Sequence, residues 1–88
     1  MGQPVDDLKR ELTLAGRAAV KGGPVQAERH LSEGLVLLDD ARGRQMLSRQ
    51  SAKAARRCID QAASLLRRGE NNRALVALRS ALESIDAT

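Results

Sequence analysis

The sequence predicts an all-α fold: two similar antiparallel helical hairpins that either close into a four-helix bundle or stack as a short repeat array. Three observations predict it. Apolar residues recur at steps of three and four along the chain, glycines punctuate it where hairpins need to turn, and the second half repeats the first at a displacement of 47 residues. No stretch shows the strict alternation of a half-buried strand.

Taken in order, Val5, Leu8, Leu12, Ala15 and Ala19 lie on one face of a first helix, with Asp6 and Asp7 suited to its positive N-terminal end. Gly22-Gly23-Pro24 reads as a stop and restart, because Gly takes the left-handed conformation after a helix and Pro is tolerated in a first turn. A second helix is expected from Pro24 to about Asp40, burying Ala27, Leu31, Leu35 and Leu38, with Val36 and Leu37 widening the stripe. Gly43 is the expected central break. A third helix then runs from about Gln45 to Arg68 on a mostly small-residue face of Ser48, Ala52, Ala55, Ile59, Ala62 and Leu66. Gly69 ends it, Asn71 or Asn72 caps the fourth helix, and Ala74, Leu75, Leu78, Ala81, Leu82 and Ile85 give that helix its apolar side.

Sliding the chain by 47 residues aligns Arg10 with Arg57, Ala15 with Ala62, Gly22 with Gly69, Ala27 with Ala74, Leu31 with Leu78, Leu35 with Leu82, and Asp39 with Asp86. Leu12 with Ile59 and Leu38 with Ile85 follow conservatively. The matches fall on the turn glycine and on faces that must be buried, where a hairpin needs a small residue for contact or a large one for filling. The spacing Ala15, Gly22, Ala27, Leu31, Gly34, Leu35, repeated as Ala62, Gly69, Ala74, Leu78, Ala81, Leu82, resembles a tetratricopeptide-repeat hairpin. It departs from that family in lacking its aromatic residues, in placing Asp39 and Asp86 where the family has proline, and in its longer period.

Composition narrows the function classes. At 88 residues the chain is read as one domain, 1–88, with hairpin 1 at about 5–40 and hairpin 2 at about 45–87. The longest apolar run, Leu35 to Leu38, is far too short for a membrane span, so no membrane association is expected. The first residues lack the charge and apolar stretch of a secretory signal, and Asp6 stands where myristoylation needs Ser or Thr, which predicts a cytoplasmic protein. A single cysteine, Cys58, and a single histidine, His30, supply neither an intrachain disulfide nor a zinc site, and both are read as structural. No nucleophile, base and orienting group can be assembled, so the expectation is a non-enzyme with no metal and no cofactor.

Two sets of binding residues are expected. The tetratricopeptide resemblance implies a concave groove lined by the first helix of each hairpin, with Lys9 and Leu12 in one copy and Arg56 and Ile59 in the other facing a peptide with acidic residues. Separately, no acidic residue lies between Asp40 and Asp60, while Arg42, Arg44, Arg49, Lys53 and Arg57 do; Arg49, Lys53 and Arg57 stand at i, i+4 and i+8 on the third helix. This basic surface suits an acidic protein partner or, alternatively, nucleic-acid phosphates, although the missing aromatics remove base stacking. The apolar excess at Val36, Leu37 and Met46-Leu47 suggests a partner or homodimer contact. The expected function is a helical protein-interaction module, an adaptor or regulatory subunit, with a small nucleic-acid-binding protein or an inhibitor or antitoxin as alternatives.

Overall fold

A computed structural model describes residues 3–86, so readings that touch Met1, Gly2, Ala87 and Thr88 lie outside the described residues. Four helices carry the described residues: α1 (Gln3–Val20), α2 (Pro24–Gly43), α3 (Arg49–Arg67) and α4 (Asn71–Asp86). No helix among the described residues is long and apolar enough to cross a membrane.

The two hairpin turns are the same motif written twice. Gly22 and Gly69 sit at φ 78° and 77°, the left-handed region that costs an L-residue about 1–2 kcal/mol. In the first turn the Gly23 N–H donates to the Ala18 carbonyl (2.8 Å) and the Gly22 N–H to Ala19 (3.2 Å); in the second, Glu70 donates to Leu65 (2.9 Å) and Gly69 to Leu66 (3.1 Å). These crossed bonds satisfy the last carbonyls of α1 and α3 and reverse the chain within three residues. Pro24 enters α2 in its first turn, as expected.

The central break differs from the expectation. Helix α2 continues through Asp39 and Asp40 and includes Gly43, and the left-handed residue is Gln45 at φ 61°. The same crossed pattern recurs there, Met46 donating to Ala41 (2.9 Å) and Gln45 to Arg42 (3.0 Å). Burial explains the shift: reversing at Gln45 brings Leu47 into the core and packs Met46 against it, whereas the helix-breaking preference of Gly43 amounts to only about 1 kcal/mol. Helix α3 consequently begins at Arg49, and Ser48 is not part of its buried stripe but its N-cap, the hydroxyl accepting from the Ser51 N–H at 3.1 Å. Asn71 is likewise a first helical residue rather than a cap, and its Oδ1 is buried without a partner.

Packing is closest within each hairpin, α1 on α2 and α3 on α4. The hairpins then meet along two further seams, α1 with α4 and α2 with α3, while α1 and α3 lie across a diagonal. Each helix thus has two neighbours in a closed ring, the connectivity of a small all-α bundle. The core is built from equivalent positions of the repeat, for both members of Leu12 and Ile59, Ala15 and Ala62, Leu31 and Leu78, and Leu38 and Ile85 are buried. Where one half thins, the other thickens. Buried Leu8 corresponds to buried Ala55, and Gly34 to Ala81; a Cβ on Gly34 would stand 3.4 Å from Leu12 Cδ2 and 3.7 Å from Leu8 Cδ1.

Candidate functional site

The C-terminal half of α2 and the N-terminal half of α3 diverge around a cleft of about 520 Å³. Leu38 and Ala52, both core residues, form its floor. Arg42 rises from α2, and Arg49, Lys53 and Arg56 rise from α3. The only carboxylate in the lining, Asp39, is already engaged, its Oδ1 accepting from Arg56 Nη1 at 3.0 Å. Arg42, Arg49 and Lys53 form no ion pair among the described residues. Three exposed cations therefore line one concavity, where their fields add.

The expected basic surface is thus only partly one site. Arg42, Arg49 and Lys53 come together; Arg44 lies outside, its Nε donating to Asp40 Oδ1 at 3.3 Å, and Arg57 is exposed beyond the cleft. Helix geometry explains the substitution of Arg56 for Arg57. Each four-residue step turns a stripe by about 40°, so the i+8 residue has rotated about 80° away, whereas the i+7 residue returns to within about 20° of the start.

The four residues expected to line a peptide groove are not brought together. Leu12 and Ile59 are 1% and 0% exposed and fill the core, because the closed ring turns the inner faces of α1 and α3 toward the bundle axis rather than toward a ligand. Lys9 and Arg56 have a different task. Lys9 pairs with Asp86 across the α1/α4 seam, and Arg56 pairs with Asp39 across the α2/α3 seam. The 47-residue displacement carries Lys9 onto Arg56 and Asp39 onto Asp86, so one latch is built twice. The Lys9 ammonium is held above its ordinary pKa chiefly by its hydrogen bond to Asp86, with desolvation opposing and the charges of Asp86 and Asp6 adding to the rise. The aligned pair Asp39 and Asp86, beside the basic positions 9 and 56, was the signal in the sequence that could have revealed these latches.

Other expected features resolve simply. His30 Nδ1 lies 2.7 Å from Glu11 Oε2, joining α2 to α1 within the first hairpin, and Cys58 packs half-buried against the core. The expected central apolar contact is mostly internal: Leu47 is buried, Leu37 and Met46 pack on the core, and only Val36 stays exposed. The late turn at Gln45 folds Leu47 inward and leaves Leu37 and Met46 partly buried, while Val36 faces outward from α2.

No family model matches the chain, and no curated protein or solved structure shows significant similarity to it. Function must therefore be sought in the chemistry of the surface itself.

Proposed function

We propose that the protein is a non-enzymatic helical interaction module, an adaptor or regulatory subunit, that binds an acidic segment of a partner protein through the α2/α3 cleft. One observation carries the reading: Arg42, Arg49 and Lys53 surround an apolar floor with no carboxylate left to neutralise them. Guanidinium groups bind carboxylates bidentately, and Leu38 and Ala52 offer a place for the aliphatic part of an acidic side chain. The lining holds no Ser, Cys, His or Tyr, which supports binding rather than catalysis. The tetratricopeptide likeness contributes the hairpin to this reading, with recognition moved from a concave array to a seam between hairpins. An inhibitor or antitoxin would be one form of such a module, and a cytoplasmic setting is compatible with a lone cysteine.

The test is a titration of labelled glutamate-rich peptides and of single- and double-stranded oligonucleotides, at low and physiological salt. Wild type is compared with the triple variant R42E/R49E/K53E. All three side chains are exposed, so circular dichroism should be unchanged. Peptide affinity should fall at least tenfold in the variant. Oligonucleotide binding with a steep salt slope, and no peptide binding, would replace this reading with the nucleic-acid one.

A further inference from the structure

The 47-residue displacement carries α1 onto α3 and α2 onto α4, so the α1/α4 seam is the counterpart of the α2/α3 seam, yet it is finished differently. Both seams carry the latch, Lys9 with Asp86 and Arg56 with Asp39. Farther along, the α2/α3 seam is closed by Arg67 Nε donating to Glu28 Oε1 at 2.8 Å. The 47-residue displacement puts Val20 and Leu75 at those two positions of the other seam. Val20 is 68% exposed, and Leu75 is half-buried. Gly16 replaces Ala63 beside them and lets Leu75 lie against α1: a Cβ on Gly16 would stand 3.2 Å from Leu75 Cδ2.

The result is a mainly apolar groove of about 410 Å³, lined by Gly16, Leu75 and Leu82 with the buried core residue Leu12 at its base. Arg17 on α1 and Lys21 just past its end rim one side, and Arg79 on α4 the other. None of the three makes an ion pair among the described residues, and no carboxylate lines the groove. At the equivalent positions of the α2/α3 seam the charges balance, Asp60 and Glu28 against Arg67 and Arg68. Thr13 and Leu75 replace those two carboxylates here, so this seam has lost its negative charge and gained apolar surface together.

We propose that the α1/α4 groove is a docking site for an amphipathic helix of a partner protein that buries aliphatic side chains in the groove and carries acidic residues on both flanks. From Leu12 to Val20 the groove follows α1 for about 12 Å, which accommodates apolar anchors at i, i+4 and i+7 of an incoming helix. Cations stand on both banks, so the complementary charge belongs on both flanks of the occupant. The net charge of +4 opposes a second copy of this chain as that occupant.

The probe is a synthetic helical peptide with Leu at i, i+4 and i+7 and Glu on either side, measured by fluorescence anisotropy against the intact protein. An isomer of the same composition with its leucines scattered around the helix is the reference. Wild type should bind the facially amphipathic peptide at least tenfold more tightly than the isomer, with the largest methyl NMR shifts at Val20 and Leu75. The double variant V20R/L75E rebuilds the ion pair of the other seam on the same scaffold and should lose at least tenfold in affinity. Gly16→Ala, which copies Ala63 and narrows the groove, should weaken binding severalfold and serves if the double variant misfolds. Equal affinity for both peptides, binding unchanged in these variants, or methyl shifts confined to other faces would overturn the proposal. So would a wild-type dimer in sedimentation equilibrium that V20R/L75E dissociates, because the occupant would then be a second copy.

Discussion

The α2/α3 and α1/α4 seams start from one template and end as different surfaces. Both bury the same positions at their base, and both are held by a basic residue at 9 or 56 against an aspartate at 86 or 39. Above that base, α2/α3 pairs Arg67 with Glu28 and gathers unpaired cations at its other end, whereas α1/α4 is apolar between cationic banks. The difference follows from where each residue sits. A core position is constrained by neighbours on every side, and changing its volume costs several kcal/mol, so the repeat persists there. A seam position faces water on one side, where an exposed ion pair contributes about 1 kcal/mol or less. The two halves could therefore diverge in surface chemistry at little cost in stability.

The comparison is tested most strongly at its shared base. Leu12→Ala and Ile59→Ala should each destabilise the fold by about 2–5 kcal/mol, measured by chemical denaturation. A much smaller loss for Leu12 would show that the α1/α4 seam relaxes around the cavity and is looser than its counterpart. Next come the turns. Gly22→Ala and Gly69→Ala should cost similar amounts, about 1–2 kcal/mol, because both glycines have positive φ and open space where a Cβ would stand. Gln45→Gly, at the third left-handed position, should have the opposite sign. The smallest effects lie in the seams. Gly16→Ala should raise stability by up to about 1 kcal/mol through helix propensity, since the atom it crowds is the far end of the Leu75 side chain. Arg67→Ala should lower it by less than about 1 kcal/mol. A larger loss at Arg67 would mean that the ion pair, not the shared apolar base, holds the second seam.

Much of the fold was legible because its signals are local. The two glycine turns, the helix faces and the hairpin repeat all follow from periodicity and backbone preference within a few residues. The central turn was misplaced because a glycine's weak propensity competed with burial of Leu47, a long-range gain that local pattern does not register. The sites were less legible. Arg42, Arg49 and Lys53 stood out as a charge cluster, but that Arg44 and Arg56 are partnered and the first three are not depends on carboxylates up to 17 residues away. Leu12 and Ile59 could line a groove or a core on the sequence alone, since both need an aliphatic residue on the same helix face.

By itself the sequence determined four helices, two equivalent hairpins, the residues that turn them and the inward face of each. Those properties depend on backbone conformation and on which residues avoid water, and both are written in short stretches of chain. Tertiary structure alone decided that the hairpins close into a ring, that Lys9 and Arg56 become latches, and that one seam is polar while the other is open and apolar. Docking depends on the sum of many weak contacts between residues distant in sequence, and the same helix faces can satisfy more than one arrangement until those contacts select one.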